Sequence, residues 1–332
     1  MLRLAQLGAG RIGRMHARNL ANHSRAELAG IYDVDPAASA AAAGAADCRT
    51  FDSLEALLGD SSIDAVMIAT STDTHCDLIE RAARAGKAVL CEKPIDLDIR
   101  RVDRCRAVVE EAGARVQIGF NRRFDPSHSA LAKAAASGEL GRLELGVISS
   151  RDPAPPPLSY LRASGGLFRD MMIHDFDIAR FLFAEEPVEV AAMGTALADP
   201  AIGAIGDVDA AMATMRMASG ALCQVNCSRH CAYGYDQRIE VFGEQGMLVS
   251  ANPTVTNLER YNAASIAAKG RLHHFFIERY AESYIREIDA FIDALEGGLP
   301  LSPGFEDGRR ALLLADAAAE SAKSGRAVQV RP

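Results

Sequence analysis

The stretch LRLAQLGAGRIG, residues 2–13, decides how the first half of the chain folds. The apolar run Leu2–Leu7 predicts a buried strand, and the apolar spacing further on predicts a helix over Met15–Ala21. Three glycines spaced as G-x-G-x-x-G separate the strand from the helix. A strand, a glycine turn and a helix in this order predict the first unit of a doubly wound α/β sheet.

The three glycines have separate tasks in turns that bind a dinucleotide. Gly8 allows the tight turn, Gly10 lets a pyrophosphate approach the backbone, and Gly13 lets the helix pack against the strand. The helix N-terminus offers N–H groups and a partial positive charge to the phosphates. We therefore expect the phosphates to lie beside Gly8, Gly10, Arg11 and Ile12.

An acidic residue follows the second predicted strand at the position typical of a ribose ligand. Glu27–Tyr32 predicts that strand, and Asp33 comes about 20 residues after Gly13. A carboxylate there binds the adenosine ribose hydroxyls and repels a 2′-phosphate, so we expect NAD rather than NADP. The alternative is that Asp33 only caps the helix that begins near Pro36.

A hydroxyl-rich loop follows the next apolar strand, Ile63–Ala69. Ligands of a doubly wound sheet bind at the carboxyl ends of its strands. Thr70, Ser71, Thr74 and His75 are therefore expected to contact the nicotinamide ribose and the phosphates. The alternative for the last two is helix capping and a solvated histidine.

The sequence CEKP, residues 91–94, ends the following strand and reaches the same edge of the sheet. The proline fixes φ and removes a backbone donor, so the backbone holds Lys93 firmly. We expect Glu92 and Lys93 at the cofactor, and polar groups of the second half facing Lys93 across a cleft. Taken alone, the motif also fits an exposed lysine in a turn.

Strands follow one another in the second half, which predicts an α+β domain with an antiparallel sheet. We expect a nucleotide-binding domain over residues 1–121 and a substrate-binding and oligomerisation domain over residues 122–332. Strands such as Val208–Met217 carry apolar residues on both faces, and an uncovered apolar face usually marks a subunit interface. A homo-oligomer is therefore expected.

A predicted helix over Phe168–Phe183 carries the main candidates for proton transfer. Asp170 and His174 are four residues apart and would lie on one helical face. An imidazole takes up a proton near neutral pH, and a carboxylate beside it can orient it. The alternative is a surface pair, but the apolar residues of this segment predict burial, where charges need a reason.

Three cysteines spaced by four offer a competing interpretation as metal ligands. Cys223 and Cys227 fall on one face of a predicted strand with Val225 between them, and Cys231 follows. Zinc sites favour tighter cysteine spacing, so we prefer buried thiols and expect no metal. Hydride transfer to a nicotinamide needs none when a side chain takes the proton.

Composition limits the partners and the location. The chain has 332 residues, a net charge of −8 and no basic block, which disfavours nucleic acid and acidic membranes as partners. No apolar run reaches the roughly 18 residues of a membrane span, and the N-terminus has a strand pattern rather than a signal peptide. Seven cysteines without a Cys-x-x-Cys pair indicate free thiols and a reducing cytoplasm.

Five stretches together resemble the Gfo/Idh/MocA oxidoreductases over essentially the whole chain. They are GAGRIG at 8–13, CEKP at 91–94, GFNRRFDP at 119–126, DMMIHDFD at 170–177 and YGYDQR at 233–238. The third and fifth are closest to the inositol dehydrogenases of the family, whose sugar dehydrogenases share parts of them. The resemblance implies a Rossmann domain joined to an α+β domain with a large open, mostly antiparallel sheet, usually in a homotetramer.

The resemblance also implies an NAD-dependent dehydrogenase that oxidises a secondary alcohol of a cyclic polyol, with myo-inositol as the first candidate. Lys93, Asp170 and His174 match the family's catalytic triad. His174 would accept the hydroxyl proton, and Lys93 would stabilise the developing alkoxide charge. Asp170 would bind neighbouring hydroxyls and keep the other two in the right protonation state.

Arg123, Asp152 and Tyr235 are further candidates for holding the polyol. Their alternatives are a salt bridge, a loop cap and a packed ring. Because a proline-rich loop follows Asp152 and the chain lacks tryptophan, no motif defines the pocket wall. A related sugar, or scyllo- or chiro-inositol, is therefore an alternative substrate. A non-catalytic dinucleotide-binding sensor is an alternative of another class, against which the catalytic triad argues.

Overall fold

The computed structural model describes residues 1–330, which fall into two compact units. Unit 1 comprises Met1–Asn121 and Tyr284–Leu312. Unit 2 comprises Arg122–Ser283 and the described residues from Leu313 onward. The sequence pattern assigns all of residues 122–332 to one domain, whereas the structure places the segment 284–312 in unit 1.

The first half of the chain alternates strands with helices. Its elements are β1 Leu2–Leu7, α1 Arg11–Ala21, β2 Ala26–Tyr32, α2 Pro36–Ala45, β3 Arg49–Thr50, α3 Leu54–Gly59, β4 Ala65–Ile68, α4 Thr72–Arg84, β5 Ala88–Glu92, α5 Ile99–Glu111 and β6 Val116–Gly119. The strands form a parallel sheet in the order β3-β2-β1-β4-β5-β6. The order reverses between β1 and β4, and such a switch point is where doubly wound sheets bind ligands.

The second half begins with a 3₁₀ turn at Asn121–Phe124 and continues as a mixed series. Its elements are α6 Pro126–Ala136, β7 Leu143–Arg151, α7 Leu158–Ala163, α8 Gly166–Asp170, α9 Ile173–Phe183, β8 Pro187–Thr195, α10 Pro200–Ala204, β9 Ala210–Met217, β10 Leu222–Ser228, β11 Asp236–Gly243, β12 Gly246–Ser250, β13 Glu259–Asn262, β14 Ser265–Lys269, α11 Phe276–Arg279, α12 Ala281–Gly297, α13 Phe305–Ser324 and β15 Val328–Gln329. The main sheet has the order β12-β11-β7-β10-β9-β8-β15 and is antiparallel except between β7 and β10. The predicted fold class, an α/β domain followed by a mostly antiparallel α+β domain, is confirmed.

The apolar residues of α12 explain why the late segment belongs to unit 1. Ile288, Phe291 and Ile292 are buried in one core with Leu4 of β1 and Leu90 of β5. Helix α12 therefore covers apolar side chains of the parallel sheet that would otherwise face water.

The core of unit 2 lies on one face of its sheet. Cys223, Val225 and Cys227 alternate inward along β10 and are buried with Phe176 of α9 and Leu314 of α13. The thiols are buried, as the strand pattern predicts. No helix within residues 1–330 has the length and apolarity that crossing a membrane requires.

Two predicted elements are wrong. The helix predicted over Phe168–Phe183 is interrupted at Met171 and Met172, where the carbonyl of Leu167 accepts both of their N–H groups at 3.0 Å and the second bond, from five residues along the chain, widens the turn. The apolar residues of Val255–Glu259 also predict a strand, but this segment is irregular and exposed, and the hairpin β13–β14 begins only at its end. The apolar residues of this segment are exposed in a loop and are not buried in a strand.

Candidate active site

The glycine turn after β1 is closed by backbone contacts and one buried glutamine. Gly8 has φ +100°, and a Cβ there would lie 2.4 Å from the carbonyl oxygen of Ala69. A Cβ on Gly13 would lie 2.2 Å from the carbonyl oxygen of Gly8. Gln6 Nε2 donates to the carbonyls of Gly8 and Gly13 at 2.8 Å each. Packing within unit 1 therefore requires glycine at both positions, and Gln6 holds the turn together.

Gly10 is different, because packing does not explain it. A Cβ at this position would meet no described atom within 4 Å, and its φ of −67° suits any residue. Gly10 is the N-cap of α1, where no side chain caps the helix and the first turn carries no acid. The first-turn N–H groups of such a helix attract an anion. The open space and the uncapped helix end both fit a pyrophosphate.

Asp33 supports the same turn from the end of β2. Its Oδ2 accepts the N–H of Ala9 at 2.6 Å, and its Oδ1 accepts the N–H of Asp35 at 2.9 Å. The cap of α2 is Asp35, which accepts the N–H of Ala37 at 2.9 Å. The alternative that Asp33 caps α2 is therefore wrong.

The loop between β4 and α4 is ordered by its own hydroxyls. Thr74 Oγ1 lies 2.7 Å from Thr70 Oγ1 and donates to the carbonyl of Ser71 at 2.7 Å. His75 is buried, with Nδ1 2.8 Å from the carbonyl oxygen of Pro94 and Nε2 3.2 Å from that of Thr70. Burial lowers the pKa of this imidazole. The alternative of a solvated histidine is wrong, since His75 joins this loop to the segment after Lys93.

Lys93 follows the last residue of β5 and is half-buried, and its peptide bond to Pro94 is cis. The carboxylate of Glu92 lies 2.9 Å from Nε2 of His16, whose ring is fully buried in α1. This contact joins the strand that delivers Lys93 to the helix that starts at the glycine turn. The sequence offers no motif for His16, which lies 76 positions before its partner.

A second carboxyl group, that of Glu287 in α12, lies near Glu92. Glu287 is fully buried, and neither of its carboxyl oxygens has a hydrogen-bond partner among the described residues. Burial and then the charge of Glu92 raise its pKa well above the usual range of a glutamate. Burial in this core therefore favours the neutral form of the Glu287 carboxyl. An acid next to the core residues Ile288 and Phe291 is the signal in the sequence that could have revealed it.

In unit 2, Asp170 ends α8 and His174 lies in the first turn of α9. They are not on one continuous helix, so the predicted single helix is wrong, while a face shared by Asp170 and His174 stays a prediction. The two carboxylate oxygens of Asp170 accept bonds from different residues. Tyr160 Oη donates to Oδ1 at 2.8 Å, and Arg229 Nη2 donates to Oδ2 at 3.1 Å. Sequence reasoning missed both donors.

Asp152 follows β7, and its N–H donates to the carbonyl of Ser228 at 2.8 Å. Burial raises the pKa of its carboxyl to about 6. The positive charges of Arg229 and Arg122 oppose that rise. The pKa of Asp152 is therefore well above that of an exposed aspartate, about 3.9.

Arg123 and Tyr235 are occupied by neighbours within unit 2. Arg123 Nε and Nη2 donate to the two oxygens of Asp177 at 2.8 and 2.6 Å, and both side chains are buried. The ring of Tyr235 packs edge-on against Phe275 and Tyr280. These contacts favour the salt bridge and the packed ring over direct contact with a substrate.

A second buried ion pair supports the sheet of unit 2. Arg122 Nη1 lies 2.5 Å from Oδ1 of Asp175, and the thiol of Cys227 donates to Oδ2 at 3.2 Å. Burial raises the pKa of Asp175, and the charge of Arg122 opposes that rise. Residues 1–330 contain no group of three or more His, Cys, Asp and Glu that could hold a metal ion.

Two family models match these units of sequence. The model described as "Oxidoreductase family, NAD-binding Rossmann fold" matches residues 2–120, and the "GFO/IDH/MocA C-terminal domain" matches residues 128–249. The chain belongs to the GFO/IDH/MocA oxidoreductase family. This family member is thus an NAD-dependent oxidoreductase with a Rossmann domain.

Similar proteins cover the whole chain. An inositol 2-dehydrogenase of Rhizobium meliloti (strain 1021) is 48% identical over 331 residues, which are 99% of each chain. The crystal structure of a myo-inositol dehydrogenase from Corynebacterium glutamicum ATCC 13032 has a TM-score of 0.96 and 43% identity, covering 100% of this chain and 99% of that one. A scyllo-inositol dehydrogenase from Lactobacillus casei with bound NAD(H) and scyllo-inositol has a TM-score of 0.92 and 30% identity, covering 99% of each chain.

The residues of this family member fit a dinucleotide. Gly10 leaves space at an uncapped helix N-terminus for the pyrophosphate, and Asp33 ends β2 at the position suited to a ribose. The hydroxyls of Thr70 and Thr74 lie at the carboxyl edge of the same sheet. These side chains would hold NAD, which supplies the acceptor for a hydride.

Proposed function

We propose that this protein oxidises the C2 hydroxyl of myo-inositol to the ketone, 2-keto-myo-inositol, with NAD as the hydride acceptor. The observation that carries the proposal is the 48% identity, over 99% of both chains, to the inositol 2-dehydrogenase of Rhizobium meliloti. The solved relative from Lactobacillus casei with NAD(H) and scyllo-inositol supports a cyclic polyol as the substrate class.

Each catalytic residue has a distinct task in this proposal. The alcohol loses a hydride from its carbon, which NAD accepts when bound, and a proton from its oxygen. His174 takes the proton, because an imidazole is a competent base near neutral pH. Lys93 donates a hydrogen bond to the same oxygen and stabilises the negative charge that develops there. Asp170 binds a neighbouring hydroxyl and favours the charged form of a nearby cation.

The remaining sequence-predicted residues divide into two sets. We propose that Gly8, Gly10, Arg11, Ile12, Asp33, Thr70, Ser71, Thr74, His75 and Glu92 form the NAD site of unit 1. For the polyol, Asp152 is the strongest additional candidate, because the carboxylate of this half-buried residue forms no salt bridge within residues 1–330, while the nearby Arg229 pairs with Asp170. Arg123 and Tyr235 would shape the site through packing rather than by touching the substrate.

Absorbance of NADH tests the proposal directly. The purified protein is incubated with NAD and separately with myo-, scyllo- and chiro-inositol and a set of aldoses. We expect the highest kcat/KM with myo-inositol. Turnover of an aldose alone would redirect the proposal to a sugar dehydrogenase, and NAD binding without any turnover would favour a sensor.

Two variants and a matched control test the residue roles. Lys93→Ala should abolish turnover and leave NAD affinity nearly unchanged, and His174→Gln should lower kcat by roughly 10²- to 10⁴-fold. The control is Lys87→Ala, since Lys87 Nζ only donates to the carbonyls of Asp60 and Ile63, at 2.8 Å each. That variant should lose thermal stability and keep its kcat. A Lys93→Ala enzyme with normal kcat would contradict the assignment.

We also propose a homo-oligomer, as a tetramer, assembled through the sheet of unit 2. Leu145, Leu222, Phe242 and Met247 are aligned on four neighbouring strands and are 37 to 51% exposed. A contiguous exposed apolar row of this kind usually marks an interface. Light scattering should give the mass of a tetramer, and Leu145→Glu should lower the measured mass. Val34→Glu, at an exposed apolar residue of unit 1, should not.

A reducing, cytoplasmic setting is part of the proposal. All seven cysteines are free, and six of them are buried. Titration with a thiol reagent should therefore find seven thiols after denaturation under argon, without reductant. Fewer would indicate a disulfide and an oxidising compartment.

A further inference from the structure

Arg229 carries a charge at a buried position, where packing alone would favour an apolar side chain. It follows β10, it is 1% exposed, and it is the largest of the fully buried side chains. Its N–H donates to the carbonyl of Asp209 at 2.7 Å, which fixes the backbone. Burying a guanidinium costs free energy unless it is paired, so the partners of Arg229 indicate its role.

The partner of Arg229 is Asp170. Nη2 donates to Oδ2 at 3.1 Å, while Tyr160 Oη donates to Oδ1 at 2.8 Å. Asp170 thus has a donor on each oxygen, one cationic and one neutral. Asp170 is the last residue of the five-residue helix α8. Its carboxylate is therefore held by these two side-chain donors and not by its place in a long helix.

The same guanidinium acts on a second acid of the candidate site. Burial raises the pKa of Asp152 to about 6. The charges of Arg229 and Arg122 lower it, and those of Asp170 and Asp175 raise it. Arg229 is the larger of the two lowering charges, so the cation that pairs with Asp170 also favours the ionised form of Asp152.

We infer that Arg229 is a positioning residue for the dehydrogenation, which fixes the carboxylate of Asp170 in one orientation, with Tyr160 as the second support. Arg229 is too deeply buried to touch a polyol itself. Its effect on the reaction passes through Asp170 and, electrostatically, through Asp152. The inference rests on the proposed function, because it assumes that Asp170 serves the reaction.

Four variants separate positioning from general stability. Arg229→Met removes the charge and the bond, and it should lower kcat roughly 10- to 100-fold, as a misplaced catalytic group does. Arg229→Lys keeps the charge and should retain more of kcat than Arg229→Met. Tyr160→Phe, at a half-exposed ring, should lower kcat about 5-fold. The control is Arg180→Met, a buried arginine paired with Glu186, which should lose stability but keep kcat.

The pH profile gives a readout that a merely structural arginine would not move. Loss of the positive charge raises the pKa of Asp152, which is already about 6. The acidic limb of kcat/KM should therefore shift to higher pH in Arg229→Met, and it should stay in place in Arg229→Lys and Tyr160→Phe. NAD affinity, measured by calorimetry, should be unchanged in all of them.

The outcomes are distinct from those of the proposed function. If the wild type oxidises no polyol, the proposed function fails first. If the wild type is active and Arg229→Met keeps its kcat and its pH profile, the inference about Arg229 is wrong. If Arg229→Met does not fold, the other two variants decide: a folded Arg229→Lys enzyme without activity, or a Tyr160→Phe enzyme with the kcat of the wild type, contradicts positioning.

Discussion

Gly13→Ala should lower the stability of the protein, whereas Gly10→Ala should lower its affinity for NAD. A Cβ on Gly13 lies 2.2 Å from the carbonyl oxygen of Gly8, about 1 Å closer than atoms of this kind pack. That carbonyl is fixed by Gln6 and has little room to move. A Cβ on Gly10 meets no described atom within 4 Å, so the folded chain accepts it.

The magnitudes follow from these distances. Overpacking of a well-packed site costs about 1–3 kcal/mol, and a backbone clash belongs at the upper end of that range. Alanine recovers about 1 kcal/mol over glycine inside a helix, so Gly13→Ala should lose about 2 kcal/mol net. That corresponds to a Tm lower by roughly 4–8 °C. Gly10→Ala should change Tm little but weaken NAD binding about 10- to 100-fold, because the methyl group occupies space meant for the pyrophosphate.

Thermal unfolding without NAD and calorimetric titration with NAD measure the two effects separately. The control is Gly44→Ala, in α2, where a Cβ also meets no described atom within 4 Å and no phosphate is expected. It should raise Tm by a few degrees, through the helix propensity of alanine, and keep the wild-type NAD affinity. The reasoning is refuted if Gly10→Ala binds NAD as tightly as Gly44→Ala, or if Gly13→Ala is as stable as either.

Three further changes have definite expected outcomes. Asp33→Ala should raise kcat/KM for NADP relative to NAD, because the carboxylate that repels a 2′-phosphate is gone; an unchanged ratio in steady-state assays with both cofactors would count against its ribose role. Glu287→Gln should make the free energy of unfolding depend less on pH. Because the pKa of Glu287 is raised in the folded state, only the unfolded state ionises above the ordinary glutamate range, and the wild type loses stability as the pH rises. The free energies of unfolding in urea at about pH 5 and about pH 8 should therefore differ less in the variant than in the wild type. Arg122→Met should cost about 3–5 kcal/mol in the same urea assay, because it leaves Asp175 buried without its cation, and a loss below about 1 kcal/mol would show that the pair is not needed.

Local patterns predicted the elements that the site rests on. The strand, glycine turn and helix around Gly8–Gly13 occur as the spacing indicates, since each depends on neighbours only a few residues away. The alternation of β9 and β10 likewise marks which side chains are buried. In such segments the period of the apolar residues and the conformational needs of glycine act over short range.

Contacts between distant segments could not be predicted in the same way. His16 meets Glu92 from 76 positions away, and Arg229 meets Asp170 from 59 positions away. Nothing in their immediate neighbours requires these partners. The apolar residues before and after His174 fit one continuous helix, so their pattern does not reveal the break at Met171 and Met172, where the carbonyl of Leu167 accepts two N–H groups.

The two-segment composition of unit 1 has a consequence during synthesis. A ribosome delivers Met1–Asn121 long before Ile288 and Phe291, so the nascent Rossmann half waits with an apolar surface open until the chain is nearly complete. A gene fragment that stops after codon 121 would encode an unfinished module. Recombination between related genes should conserve the fold only when the two gene segments that encode unit 1 come from the same parent.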